Sequence, residues 1–171
     1  RFMPNVDDSS VRLPPPFGMR FWNTSVPVNP QVNITSNGWL SLNGVASQSY
    51  VGLLPDPAAP NWTVAPYLTD LYTSATGVCV ATIGIAPSRR FVVEWFDAVF
   101  LADRARHVTF EAILNEGGTI EFYYDTMAAP PTGQNIAVGI ENQLGNAAVT
   151  VCTPGTACTI ASRGRVGYAV Q

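Results

Sequence analysis

The chain has 171 residues, 47% of them hydrophobic, and a formal net charge of −3. This apolar content argues against disorder, and the length suits one domain with a sizeable core. The acidic balance argues against a nucleic-acid partner and against a polybasic membrane contact, and no apolar run is long enough to predict a membrane span.

The N-terminal segment, residues 1–16, is predicted to be an extended arm without regular structure. Residues 7–10 are polar, and the three prolines at 14–16 have no amide hydrogens to offer a strand ladder. We expect this arm to lie along a sheet edge, with residues 17–171 forming a single folded domain.

Short strands and a tight turn are predicted next. Residues 17–22 have strand composition, and residues 32–35 and 39–42 flank Asn37-Gly38. An Asn-Gly pair between two strand-like segments is a strong signal for a β-hairpin.

Residues 45–63 have little periodicity and contain three prolines, so they predict one long surface loop. Long loops often carry function. Trp62 in this loop is therefore the best candidate for an exposed aromatic side chain that contacts a ligand, and packing against the core is its alternative role.

Three successive strands form the clearest part of the sequence, at residues 89–99, 108–115 and 119–124. Apolar residues alternate with polar ones in the second and third, and Gly117-Gly118 predicts the turn between these two. Because a period of two places one set of side chains on a core and the other in water, we expect a half-buried antiparallel sheet.

The remaining sequence contains further strand patterns and no convincing helix. Strands are predicted at residues 64–68, 78–85, 135–141, 147–152 and 164–170, and a loop at 127–133. About ten to twelve short strands without a helix predict an all-β fold, an antiparallel two-sheet β-sandwich of jelly-roll-like form, in preference to a closed barrel.

The three cysteines suggest an oxidising environment. Cys152 and Cys158 bracket a turn-forming loop that could bring them within disulfide reach. Cys79 lies in an apolar run, where a small buried side chain is expected, although a disulfide between Cys79 and either partner is the alternative. A disulfide favours a secreted or cell-surface protein.

The order of these motifs resembles a bacterial extracellular module similar to the NIDO domain of nidogen. The matching segments are residues 13–22, 32–42 (ending in Ser-Asn-Gly-Trp-Leu-Ser-Leu), 65–71 (Ala-Pro-Tyr-Leu-Thr-Asp-Leu), 90–95 with 110–123, and 136–145. The chain departs from the family pattern at Tyr67-Leu68, at Thr69, where the family has an acidic residue, and at Glu111, where glutamine is common. The resemblance implies an extracellular, non-catalytic interaction or architectural module.

Polar side chains of the three clear strands are candidates for ligand contact: Glu94, Glu111, Glu121 and Tyr123. Two carboxylates on one sheet face could form the acid/base pair of a glycoside hydrolase or serve a carbohydrate-binding module. A solvated face that keeps the sheet soluble is the alternative. No catalytic motif accompanies these residues, so we predict that the chain is not an enzyme.

A calcium site is the one cofactor considered. Asp70, together with Asp56 or with Asp7 and Asp8, could supply the oxygen ligands that Ca²⁺ prefers. Capping of turns by these carboxylates is the alternative, and no other cofactor is expected.

The leading functional hypothesis is a non-catalytic adhesion or structural module that contacts a protein or glycan at the cell surface. The first alternative is a self-assembling filament subunit that adds its arm, residues 1–16, to the sheet edge of a neighbouring copy. The second is a carboxylate-dependent glycoside hydrolase or carbohydrate-binding module.

Overall fold

The computed structural model describes residues 1–26, 31–45, 47, 49, 52–58 and 60–169. Within them it contains 14 strands and no helix, so none that could cross a membrane. In chain order the strands are β1(Ser10–Leu13), β2(Met19–Phe21), β3(Thr24–Val26), β4(Val32–Thr35), β5(Leu40–Ser41), β6(Thr63–Leu68), β7(Leu71–Tyr72), β8(Val78–Ile83), β9(Arg90–Phe100), β10(Asp103–Asn115), β11(Thr119–Met127), β12(Ala137–Glu141), β13(Ala148–Cys152) and β14(Gly164–Ala169).

The strands form two large antiparallel sheets. Sheet I has the order β1-β4-β5-β6-β12-β13. Sheet II has the order β14-β11-β10-β9-β7, with β8 also pairing with β9, and β2 and β3 make a separate hairpin. The predicted all-β, antiparallel two-sheet sandwich is confirmed. The predicted strand at 164–170 ends at Ala169, because residue 170 lies outside the described residues.

The central strands of sheet I are covered on both faces. Every residue of β4, β6 and β12 is buried. The inner face packs into the main core, and the outer face carries a second apolar cluster, formed by Trp39, Leu54, Ala65, Leu68 and Ala137. Leu54 belongs to the predicted 45–63 loop, so this loop covers the sheet. Residues 46, 48, 50, 51 and 59 of that loop lie outside the described residues.

Sheet II shows the alternation that its sequence predicts. In β11, Ile120, Phe122 and Tyr124 are buried against the core, while Glu121 and Tyr123 on the opposite face are only half-buried. A strand with a period of two can leave one face open in this way because only the other face has to be removed from water.

Aromatic side chains join the two sheets. The ring of Trp95 stacks on Phe110 with centroids 5.2 Å apart, and its Nε1 donates a hydrogen bond of 2.8 Å to the carbonyl of Thr35 in sheet I. The hydroxyl of Tyr124 donates a bond of 2.9 Å to the carbonyl of Pro66. These buried polar groups fix the two sheets relative to each other because leaving them unpaired would be costly.

The predicted hairpin at Asn37-Gly38 is confirmed. β4 pairs with β5, and the amide of Thr35 donates to the carbonyl of Trp39. Gly38 has a φ of 75°, and a Cβ at this position would fall on the carbonyl oxygen of Tyr67. Only glycine therefore fits this turn.

The N-terminal segment lies at sheet edges and also contains a strand, which the sequence did not predict. Residues 10–13 form β1, which pairs with β4 at the edge of sheet I. Phe2 exchanges two backbone hydrogen bonds with Val78 at the edge of sheet II. The first 13 residues thus contact both sheets. β1 ends at the prolines at 14–16, and it lies in a segment that was predicted to have no regular structure.

The predicted strand at 17–22 is shorter in the structure. β2 ends at Phe21 because Trp22 and Asn23 adopt positive φ angles of 50° and 57° and turn the chain into β3. Together with β1 and the two-residue strands, this hairpin raises the strand count to 14, above the predicted ten to twelve.

Candidate functional site

The outer face of sheet II places side chains from five strands in one row. Cys79 lies opposite Glu94, and Glu94 lies opposite Glu111. Glu111 lies opposite Tyr123, which in turn lies opposite Arg165. We call Cys79, Glu94, Glu111, Tyr123 and Arg165 the central row. Residues that are far apart in sequence meet here because neighbouring strands share one register.

Glu94 and Glu111 form a like-charged pair within the central row. Directly opposed residues have Cβ atoms about 4.5–5.5 Å apart, and like charges at such positions are destabilising. Partial burial raises the pKa of Glu111, and the charge of Glu94 raises it further, while Arg90 acts in the opposite direction. Among the described residues, neither carboxylate has an ion-pair partner.

A pocket of about 310 Å³ opens beside this pair. The pairing of β10 with β11 shifts register between Thr109 and Phe110, which leaves Asp125 as an extra residue on β11, and such a bulge bends the strand that carries it. The pocket lining consists of Glu94, Thr109, Phe110, Glu111, Tyr123, Tyr124, Asp125, Arg163 and Gly164. Carboxylates, a phenol ring and one guanidinium thus converge on a single concavity.

Glu121 belongs to the same face but is neutralised by its neighbours. Its carboxylate accepts a hydrogen bond of 2.9 Å from the hydroxyl of Tyr123, and Arg165 lies 3.1 Å away. This hydrogen bond raises the pKa of Tyr123. The guanidinium of Arg165 also stands 5.2 Å from the centre of the Tyr123 ring. Glu121 and Arg165 therefore hold Tyr123 in place beside the pocket.

Trp62 lies away from the outer face of sheet II and is half-buried. Its ring stacks on Phe21, with centroids 6.2 Å apart and planes at 23°. It packs against the main core. Trp62 therefore takes the packing role that the sequence analysis gave as its alternative, and it anchors the end of the long loop.

The two candidate calcium ligands are not brought together. The amide of Asp56 donates a bond of 2.7 Å to the carboxylate of Glu141. Asp70 instead joins Asp7 and Asp8, and the carboxylate oxygens of these three lie within 4.8 Å of one another. Burial raises the pKa of Asp70, and the charges of Asp7 and Asp8 add to this effect. This second grouping could hold a hard cation.

The cysteines are arranged partly as predicted. Cys152 and Cys158 form a disulfide with Cα atoms 5.5 Å apart. Cys79 is a free cysteine, and it is half-exposed on the outer face of sheet II, although its apolar neighbours predicted burial. The prediction fails because Val78 and Val80 point into the core, and alternation turns the residue between them outward.

Glu141 is a buried carboxyl group that the sequence analysis missed. It is fully buried, and this burial raises its pKa to about 7, while the nearby Asp56 charge adds to the shift. The amide of Asp56 and the hydroxyl of Thr63 donate hydrogen bonds to it. Its position at the end of an apolar strand gave no signal that a loop would cover it.

The comparisons with known proteins give one match. A family model with the description NIDO related matches residues 3–166 of the chain. No curated protein and no solved structure shows a match.

Proposed function

The chain belongs to the NIDO-related family, and from this premise we propose that it is a non-catalytic adhesion or structural module that works through the outer face of sheet II. The family and the Cys152–Cys158 disulfide both fit an extracellular β-module, because disulfides persist outside the reducing cytosol. We propose that the partner is a protein or glycan at the cell surface.

The observation that carries this proposal is the like-charged pair Glu94 and Glu111 beside the pocket, for which the described part of the chain supplies no ion-pair partner. Two carboxylates directly opposite each other destabilise the sheet, so their presence calls for a compensating contact. A partner that offers cationic groups or hydroxyl donors would supply it, and Tyr123 would provide an apolar ring surface next to them.

The decisive experiment measures binding to a glycan array and to a panel of purified extracellular matrix proteins. We expect the double variant Glu94→Gln/Glu111→Gln to bind at least about tenfold more weakly than the wild type, because hydrogen bonds to charged groups are the strong ones. The matched control is Asp97→Asn/Asp103→Asn, which removes the same charge outside the pocket. Equal losses in both double variants would contradict the proposal.

A carboxylate-dependent hydrolase is the second candidate function. The observation that favours it is the direct opposition of Glu94 and Glu111, because glycosidases use a pair of carboxyl groups, and burial raises the pKa of Glu111 in the direction that a general acid requires. Any glycan found to bind would be incubated with the wild type and with Glu111→Gln. Product release by the wild type alone would support an enzyme, and no release by either protein would leave the binding module as the function.

Assembly by donation of residues 1–16 is less favoured than either. Ser10–Leu13 pair with β4, and Phe2 is hydrogen-bonded to Val78 within the same chain. A donated arm would have to break these bonds before it could pair with a neighbouring copy.

A further inference from the structure

The edges of the two sheets differ in their protection against pairing with another chain. β1 runs into the prolines at 14–16, and β13 carries the extra residue of a register shift opposite Val138 and Gly139. β14 contains Gly164 and Gly167, which weaken a strand. Prolines, bulges and weak or short edges are devices that keep sheets from joining edge to edge.

β8 has none of these devices within the strand. Val78 to Ile83 pair with Trp95 to Arg90 without any register shift. No charged residue occurs from Leu71 to Ser88. The second half of the strand is exposed, and Ile83 is 48% exposed. A regular, uncharged and apolar edge is a template for strand pairing.

The backbone of β8 turns hydrogen-bonding groups to its outer side, away from β9. Both the amide and the carbonyl of Val78 bond to Phe2, so these groups point away from β9. In antiparallel pairing, every second residue points the same way. Val80 and Thr82 therefore also turn their amides and carbonyls outward, and among the described residues only Phe2 forms a bridge on this side.

We propose that β8 is a self-association site, at which the β8 strands of two copies pair antiparallel with Thr82 on the two-fold axis. This register leaves the bridge between Phe2 and Val78 intact. It sets Thr82 against Thr82 of the second copy and the large Ile83 against the small Ala81. Threonine pairs and pairs of unequal apolar side chains are favourable across strands.

The proposed partner is a second copy of this chain, because the β8 edge is complementary to the β8 edge of another copy. The chain carries a net charge of −3, but β8 has no charged side chain, so the pairing of two β8 strands places no like charges directly opposite each other. Ala81 lies beside Val92, which lies beside Ile113, on the outer face of sheet II. Ile83 of one copy would extend this apolar strip of the other, and its exposed surface would be removed from water.

The test is sedimentation equilibrium over a concentration series in the presence of reductant. Because a contact between two strands is small, we expect weak, reversible dimerisation that persists in Cys79→Ser. Thr82→Pro should weaken it by at least about tenfold, because the lost amide hydrogen faces the partner and takes no part in the ladder to β9. The melting temperature of this variant should stay near that of the wild type.

Two lysine variants make the test independent of the proline. Ile83→Lys places a charge at the proposed interface, and Val149→Lys places one on β13, where the side chain is similarly exposed at 51%. Loss of the dimer in Ile83→Lys alone supports the proposal. A monomer at every concentration, a dimer that needs a Cys79 disulfide, or a dimer lost only in Val149→Lys would overturn it.

Discussion

Sheet I and sheet II are built from the same antiparallel pairing but differ in what covers their outer faces. The outer face of sheet I carries the cluster around Trp39 and Leu54, and that of sheet II carries Glu94, Glu111 and Tyr123. Once a loop covers a face, its side chains contribute to stability and cannot reach a partner. The difference therefore separates the part of the sandwich that holds the fold from the part available for binding.

The largest expected difference in stability is between two alanine variants, each of which replaces an aromatic residue on the outer face of one sheet. Trp39→Ala should lower the free energy of unfolding by about 3–5 kcal/mol, because a fully buried ring leaves a cavity. Tyr123→Ala should cost less than about 1 kcal/mol, because its ring lies at a half-exposed surface. Urea denaturation measures both changes, and similar losses in the two variants would show that the contrast between the faces is wrong.

The next prediction concerns the Cys152–Cys158 disulfide, which lies where the chain passes from sheet I to sheet II. Cys152 ends β13 in sheet I, and the chain then crosses to β14 in sheet II. Replacing Cys152 and Cys158 by serine should destabilise the fold by about 2 kcal/mol, the value expected for a short closed loop. Cys79→Ser is the control and should leave the denaturation midpoint unchanged. A destabilisation by Cys79→Ser equal to that of the double variant would contradict this view.

A pH titration tests the cover of sheet I. The pKa of Glu141 is raised to about 7, so the fold favours the protonated carboxyl group. Its stabilising contribution is complete below about pH 4.5 and is lost as the pH rises to about 7. In the wild type we expect the free energy of unfolding to fall by about 2–3 kcal/mol between these pH values, and Glu141→Gln should abolish this fall.

Glu116→Gln is the matched control for this titration. Its hydrogen bond with Arg89 lowers the pKa of Glu116 to about 2, so its contribution is present above about pH 4.5 and is lost as the pH falls towards 2. Glu116→Gln should therefore flatten only the acid side of the profile. If both variants changed the same side, the burial of Glu141 would not be the cause of its titration.

The sequence predicted sheet II better than sheet I for a physical reason. Alternation in residues 108–115 and 119–124 indicates one solvent-exposed face and one buried face. The strands and their exposed side chains could therefore be predicted from the sequence. The buried strands of sheet I lack that contrast. Leu54 packs in the same cluster as Trp39 because of the path of a loop, and this loop has no periodic pattern that would predict the path. A short strand such as β1 contains too few residues to be recognised from the sequence.

The candidate site shows the same limit. Alternation placed Glu111 and Tyr123 on polar faces, and Glu94 was assigned only to a neighbouring strand. The register of the pairing shows that the two carboxylates are directly opposed. The grouping of Asp70 with Asp7 and Asp8 depends on where the N-terminal segment runs after Phe2. Contacts between segments distant in sequence are set by tertiary packing, and local patterns do not encode them.

The smallest expected effect is the most specific to the open face. Glu94→Gln removes one charge from the like-charged pair with Glu111, so it should raise the free energy of unfolding at pH 7 by about 0.2–1 kcal/mol. The gain should shrink as the pH falls and Glu111 becomes protonated, because the repulsion needs both charges. Cys79 and Glu94 face each other across the strands, and Cys79→Ser, a neutral change at that neighbouring position, is the control. If Glu94→Gln is more stable but binds its partner less well, the like-charged pair serves binding at the expense of stability. If Glu94→Gln is less stable, Glu94 makes a favourable contribution to the fold.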